Sequence, residues 1–111
     1  MKYLTNAILE IAKENPDGFT VEVPSLKPVM SGFISACFET QNCFGRDGLE
    51  KVICHALEHG RVVGGWRNTE NRKYYFDSSS VFIDKETAIE FGRKNKQIAI
   101  FDLDSLTEIR L

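Results

Sequence analysis

Two histidines, His55 and His59, stand four residues apart in a segment whose apolar pattern predicts a helix. On a helix this spacing lets two imidazoles reach one divalent ion. A zinc site needs further ligands, and neither a third ligand nor the Glu of an H-E-x-x-H arrangement can be identified. We therefore interpret His55 as solvent-facing and His59 as favoured by the helix dipole, and we predict no metal site and no cofactor.

Three cysteines, Cys37, Cys43 and Cys54, are spaced by six and eleven residues and form no CxxC pair. An odd number without pairing motifs predicts reduced thiols. Cys43 lies in the polar segment 40–45, where a nucleophile is conceivable. A reactive thiol needs a base or a helix N-terminus close by, and none is evident, so we interpret Cys43 as an ordinary loop residue.

The segment 61–78, here called the 61–78 hairpin, is the strongest candidate for a contact surface. Glycines inside its first strand, Gly64 and Gly65, are typical of a bulge or of a close approach by a ligand or another backbone. Stacking aromatics and phosphate-pairing cations suit single-stranded nucleic acid. Alternatively, Trp66, or Tyr74 with Phe76, fills the core and the cations only solubilise a turn. The candidate binding residues are Arg61, Trp66, Arg67, Arg72, Tyr74, Tyr75 and Asp77.

Charge gives the nucleic-acid interpretation no general support. The 111 residues carry 14 basic and 16 acidic side chains, a formal net charge of -2. Such a chain lacks the global positive field typical of nucleic-acid-binding proteins. Positive charge is concentrated in residues 61–96, which hold eight Lys or Arg against five Asp or Glu.

Apolar periodicity and capping residues predict three helices, near residues 4–14, 48–59 and 85–94. Asp47 is the expected N-cap of the second helix, with Glu50 completing a capping box and Gly60 following the end. Asp84 is the expected N-cap of the third, and Asn95 its left-handed terminator. Leu57 and Phe91 fall on the predicted buried faces.

Alternating or continuous apolar runs predict the strands. These are 19–23, a central strand over 29–40, the two hairpin strands 61–66 and 72–76, a resumption at 81–83 after an interruption at 77–80, and a final pair at 97–103 and 106–111. Helices spaced between strand pairs favour antiparallel pairing. The predicted fold is α+β, a mostly antiparallel sheet with about three helices on one face, in a single domain over 1–111. Without a signal-like start or about 18 consecutive apolar residues, we expect a cytoplasmic protein with no membrane partner.

Two resemblances add to these patterns. His59, then Tyr74 or Tyr75, then Glu108 is similar in order to the His, Tyr and Glu of one branch of the ADP-ribosyltransferases. Separately, the Gly64–Trp66 and Tyr74–Ser78 runs, with Asn95-x-Gln97 and Asp102-Leu103, resemble a family of small uncharacterised proteins from Bacteroides-type gut bacteria and their mobile elements. That resemblance implies a bacterial cytoplasmic setting and assigns no catalytic residue.

Two functions remain open from the sequence. The first is a bacterial accessory or interaction domain whose contact surface is centred on the 61–78 hairpin, with a protein or nucleic-acid partner. The alternative is a small enzyme acting on nucleic acid or a nucleotide, such as a toxin-like nuclease or an ADP-ribosyltransferase-like protein. An enzyme should gather two or more of a defined set within hydrogen-bonding reach in a concave site. That set is Arg61, His59, Tyr74, Tyr75, Asp77 and Glu108.

Overall fold

Three α-helices form where the periodicity predicts them. A computed structural model describes residues 2–111. The predicted apolar stripes supply the buried faces, because residues three and four apart share one side of a helix. The helices are α1 (Lys2–Glu14), α2 (Gly45–Glu58) and α3 (Lys85–Lys94), and a short 3-10 helix covers Phe38–Thr40.

Capping follows the prediction at α3 and departs from it at α2. Asp84 is the N-cap of α3, and its carboxylate accepts from the Thr87 N–H at 2.9 Å. Helix α2 begins at Gly45, so the prediction that Asp47 is its N-cap is wrong, and Asp47 lies in the first turn. The reason is tertiary: the preceding residue, Phe44, is held extended by strand pairing, and Gly45 turns the chain with a φ of 69°.

The left-handed residues at the helix ends also lie one position later than predicted. Arg61 and Lys96 each have a φ of 57°, in place of Gly60 and Asn95. Gly60 follows the C-cap of α2, and a glycine is needed there because the neighbouring strand leaves no room for a side chain. A Cβ there would collide with the carbonyl oxygen of Ser79 on the neighbouring strand.

Within residues 2–111, seven strands form one sheet in which every pairing is antiparallel. Its order is β1-β4-β5-β2-β6-β7, with β3 paired to the first half of β5. The hairpin strands and the final strand pair are therefore confirmed. The bounds are β1 (Phe19–Glu22), β2 (Phe33–Ala36), β3 (Cys43–Phe44), β4 (Val62–Arg67), β5 (Tyr74–Phe82), β6 (Ala99–Asp102) and β7 (Thr107–Arg110).

Two strand predictions need correction. The central strand expected over 29–40 is only β2, and the chain then enters the 3-10 helix, although β2 is internal because it pairs with both β5 and β6. The interruption expected at 77–80 does not occur. Strand β5 runs through it for nine residues because β4 and β2 both pair with this stretch.

The three helices cover one face of the sheet and leave the other open. Helix α2 packs over β4 and β5, α3 packs over β2 and β6, and α1 packs beside α2. Because side chains alternate along a strand, Phe76 and Ser78 of β5 face the helices while Asp77 and Ser79 face away. The α+β fold with helices on one face is thus as predicted. The main core comprises Leu4, Ile8, Ala12, Val21, Val23, Cys43, Leu49, Val52, Ile53, Ala56, Val63 and Phe76.

None of the described helices has the length and apolar character needed to cross a membrane.

The helix phasing can be tested on α2. Ile53 is fully buried, whereas Leu57 is half-buried, so the sequence assigned Leu57 to the core too strongly. Ile53→Ala should lower the free energy of unfolding by about 2 to 5 kcal/mol through lost burial and a residual cavity. Leu57→Ala, the matched control one turn away, should cost less. Urea denaturation measures both; a larger loss for Leu57→Ala would contradict the phasing.

Candidate functional site

The structure divides the residues of the 61–78 hairpin between two faces of the sheet. Trp66, Tyr75 and Asp77 lie on the open face, since Trp66 is directly opposite Tyr75 in the β4–β5 register. Tyr74 lies on the helix face, where its ring packs against Phe19 and Phe76. The alternative in which Tyr74 and Phe76 fill the core is therefore correct for these two residues.

Tyr74 has the surroundings of a structural residue. Its hydroxyl donates to the Asn15 carbonyl at 2.6 Å. Desolvation, together with the nearby carboxylate of Asp17, raises the pKa of Tyr74 to about 12. A phenol held protonated and bonded to backbone is suited to anchoring the α1–β1 turn and not to proton transfer near neutral pH.

The glycine pair in β4 serves the two faces separately. A Cβ at Gly65 would overlap the rings of Phe19 and Tyr74 on the helix face. A Cβ at Gly64 would come within 3.0 Å of an Asp77 carboxylate oxygen on the open face. No bulge interrupts the β4–β5 register at these positions. The glycines are thus explained by close approach, as one of the two sequence interpretations proposed.

An exposed aromatic patch, made of Phe44, Trp66 and Tyr75, occupies the hairpin end of the open face. The Trp66 and Tyr75 rings stack with centroids 5.4 Å apart, and Phe44 contacts Tyr75 edge-on at 5.6 Å. Lys73 places its ammonium 4.1 Å from the Phe44 centroid. Trp66 is 47% exposed. The patch therefore offers stacking area and a cation to a partner.

The arginines of the hairpin are exposed and lie outside the cleft described next. Arg61, Arg67 and Arg72 are all exposed, and no ion pair involving them occurs within residues 2–111. None lines the cleft. Of the seven candidate binding residues, Trp66 and Asp77 line the cleft, Tyr75 stacks on Trp66 beside it, Tyr74 lies on the helix face, and the three arginines are exposed outside the cleft.

A cleft of about 790 Å³ runs across the open face of the sheet. Strands β1, β4 and β5 line one half, and β2, β6 and the β6–β7 turn line the other. A cleft of this size, apolar with a few polar groups, has the general character of a ligand site. Its apolar lining includes Val29, Ile34, Ala36, Trp66, Ile98, Ala99, Phe101, Leu103 and Leu106.

Asp77 lies in this cleft on the central strand β5. Its carboxylate accepts from the Ser79 hydroxyl at 2.6 Å, and the strand opposite presents only Gly64. Desolvation raises the pKa of Asp77, and the Ser79 hydrogen bond only partly offsets that effect. Because its negative charge has so little compensation, the ionised form of the carboxyl would be stabilised by a cation placed beside it.

All the ionisable side chains that line the cleft are acidic. They are Asp17, Asp77 and Glu108, with no Lys or Arg among the lining residues. Glu108 also forms an exposed ion pair with Arg110 at 3.6 Å. The cleft therefore favours a cationic group over a phosphate, whereas the positive charge of the hairpin lies outside it.

Of the six residues proposed for an enzyme, Asp77 and Glu108 line the same cleft, but the six do not form one hydrogen-bonded site. Within residues 2–111 no hydrogen bond or ion pair joins any two of them. His59 bonds to the carbonyl of His55 in its own helix, and Tyr74 is on the face opposite Asp77. The residues that follow the His–Tyr–Glu order of the ADP-ribosyltransferases therefore do not share one site in this fold.

A second polar cluster, which sequence reasoning missed, joins α2 to β5 and the 3-10 helix. His55, expected to face solvent, has a side chain only 13% exposed. Its Nδ1 lies 2.8 Å from the Ser78 hydroxyl, and its Nε2 lies 3.3 Å from a carboxylate oxygen of Glu39. Cys37 is the third potential ligand near it. No sequence motif links residues 37, 39, 55 and 78, because their proximity depends on strand pairing.

The cysteines occupy three different environments, and all are free. Cys43, expected in a loop, lies in β3 within the main core, so that prediction is wrong. Cys54 is exposed. Cys37 is buried, and desolvation raises the pKa of its thiol; a hydrogen bond with Ser78 acts in the opposite direction. A buried thiol held in its protonated form is a poor nucleophile.

Comparison of this chain with protein-family models, curated protein sequences and solved structures finds no match. The resemblance to Bacteroides-type proteins stays an expectation, and function is inferred from the site itself.

The environment of Asp77 predicts a pH-dependent effect on stability. With its pKa raised in the folded state, the carboxyl binds its proton more tightly when folded than when unfolded. Wild-type stability should therefore fall as pH rises from the unfolded pKa, about 3.9, through the folded pKa. Asp77→Asn removes this loss, so its free energy of unfolding relative to wild type should be higher at about pH 7 than at about pH 4.

Urea denaturation at the two pH values measures this difference, and Asp17→Asn reports the effect of removing an exposed carboxyl at the cleft edge. An Asp77→Asn difference that is the same at both pH values would show that the carboxyl is well solvated.

Proposed function

We propose that this chain is an interaction domain, without catalytic activity, that binds a partner protein in the cleft on the open face of its sheet. The aromatic patch of the 61–78 hairpin extends the contact surface. The partner contributes a basic side chain to Asp77 and apolar side chains to the cleft. The observation that carries this proposal is Asp77, a desolvated carboxyl in an apolar cleft lined by no Lys or Arg.

The apolar lining supports a protein partner. The open sheet face carries Ile34, Val81 and Phe101, and the last two are each 36% exposed. Exposed apolar surface of this kind is typical of a site that contacts another protein. Stacked aromatics beside it are the side chains that most often dominate protein contacts. A basic residue flanked by apolar ones matches both features of the cleft.

The dispersed positions of the enzyme candidates support binding over catalysis. General acid–base chemistry requires groups within hydrogen-bond reach of the same reacting atoms. Within residues 2–111 the Asp77 carboxylate is hydrogen-bonded to the Ser79 hydroxyl, while Tyr74 and His59 are hydrogen-bonded to backbone carbonyls elsewhere. The resemblance to Bacteroides-type proteins supports a bacterial cytoplasmic setting for this interaction.

The single tryptophan provides a direct probe, because Trp66 lines the cleft. A peptide of alternating Lys and Leu should change Trp66 fluorescence and saturate, while a matched Glu–Leu peptide should not. Asp77→Asn should weaken Lys–Leu binding at least about tenfold, or about 1.4 kcal/mol. Equal binding of both peptides, or of wild type and Asp77→Asn, would contradict the proposal.

The hairpin arginines distinguish this proposal from nucleic-acid binding. Arg67→Ala with Arg72→Ala should leave Lys–Leu binding within about twofold and change the melting temperature little, since exposed charges contribute little to stability. The same titration is made with single-stranded DNA at low salt. DNA affinity better than about millimolar, lost in the double variant, would instead favour the nucleic-acid alternative.

A further inference from the structure

The polar cluster around His55 is assembled by hydrogen bonds to the backbone groups of one residue of β5. The Cys37 N–H donates to the Ser78 carbonyl at 2.8 Å, and the Ser78 N–H donates to the Thr40 hydroxyl at 3.0 Å. The 3-10 helix is thereby attached to β5 on both sides of Glu39. Its position relative to α2 is therefore set by the sheet and does not depend on contacts among the ligand candidates themselves.

The Nε2 atom of His55 is buried and makes no hydrogen bond within the described residues. Glu39 is close enough for an ion pair, at 3.3 Å, but the geometry is not that of a hydrogen bond. A buried nitrogen without a hydrogen bond loses its contact with water and gains nothing in return, so such an atom needs an explanation. Cys37 and Glu39 are the two other potential metal ligands close to the His55 ring.

We propose that Cys37, Glu39 and His55 form a binding site for Zn²⁺ or a similar divalent metal ion. One ligand atom from each residue lies within 4.8 Å of the other two. Thiolate, imidazole and carboxylate together are typical of zinc ligation, and three protein ligands leave a fourth position for water or another donor. The expectation that no metal site exists rested on a missing third ligand for the pair His55 and His59. The fold instead brings two other ligands, Cys37 and Glu39, to His55.

The surroundings of His55 have the organisation that a metal-binding imidazole needs. With Nε2 on the metal, Nδ1–H donates to the Ser78 hydroxyl, which lies 2.8 Å away. Such an outer hydrogen bond holds the ring orientation and the tautomer of most metal-binding histidines. The His59 ring stacks on His55 with centroids 3.8 Å apart, which further restricts rotation.

Metal binding requires only a small contraction of the cluster. Tetrahedral zinc with bonds of about 2.0 to 2.3 Å places its ligands roughly 3.3 to 3.8 Å apart. The Glu39 carboxylate is already 3.3 Å from Nε2, and its side chain is 66% exposed and therefore free to rotate. Cys37 is 4% exposed. The buried thiol and imidazole thus form the fixed part of the site, and Glu39 closes it from the surface.

The bound ion would connect the 3-10 helix to the last turns of α2. A ligand that binds only the folded state stabilises it in proportion to the logarithm of its concentration. Zinc should therefore raise the melting temperature of the wild-type chain. The ion would lie outside the cleft, because the cluster is on the helix side of β5 and Asp77 faces the opposite side.

Titration of the reduced wild-type chain with Co²⁺ tests the site. We expect one Co²⁺ per chain, with a thiolate-to-cobalt charge-transfer absorption that Zn²⁺ abolishes by displacement. Cys37→Ser should remove this absorption. Glu39→Gln should weaken Co²⁺ binding at least about tenfold while the fold is retained, since the Glu39 side chain is exposed.

Matched controls come from the same chain. Cys54→Ser removes an exposed thiol, and Glu58→Gln removes an exposed carboxylate at the end of α2; both variants should bind Co²⁺ like wild type. At the same zinc concentration, the melting temperature of Cys54→Ser should rise by more than that of Glu39→Gln, because the stabilisation depends on the affinity for zinc. If Cys37→Ser fails to fold, Glu39→Gln and Cys54→Ser still decide the question.

Three outcomes would overturn the proposal: no Co²⁺ binding up to millimolar concentration, absorption that survives Cys37→Ser, or absorption that disappears in Cys54→Ser. The last would identify the exposed thiol as an adventitious ligand.

Discussion

The two-residue period of β5 is the constraint on which the other features depend. Phe76, Asp77 and Ser78 are consecutive, yet they reach three environments: the core, the open cleft and the polar cluster beneath α2. Alternation sends neighbouring side chains to opposite faces, and nine residues of pairing to β4, β3 and β2 hold the strand in place. A shift of one residue would bury Asp77 under the helices and expose Phe76.

Covering only one face of the sheet creates the opportunity for binding. The helices bury the apolar side chains on their side of the sheet, while Ile34, Phe101 and Trp66 on the open face stay in contact with water. An uncovered sheet of this kind is stable when enough of its surface is polar or is shielded by a partner. Gly64 leaves the Asp77 carboxylate accessible where any larger residue would approach it within 3.0 Å.

Charge separates the two parts of the contact surface. Cations at the hairpin end, including Lys73 over Phe44, lie beside an aromatic patch, whereas the charged side chains that line the cleft are all carboxyls. The net charge of the chain, -2, hides this arrangement because opposite groups cancel in a sum. Which charge a partner meets depends on the part of the open face that it contacts, so the local charge indicates the chemistry of the partner better than the composition does.

The sequence by itself determined the fold class, the three helices, the 61–78 hairpin and the Asp84 cap. Each depends on contacts between residues close in the chain, such as an apolar stripe or a cap and its N–H groups. The length of β2, the start of α2 and the surroundings of His55 were decided by tertiary structure. The chain leaves β2 for the 3-10 helix at Phe38. Strand pairing holds Phe44 extended, and it brings Cys37 and Ser78 to a helix far away in sequence. A local sequence pattern cannot predict such a pairing, because the strand or helix that stabilises it lies elsewhere in the chain.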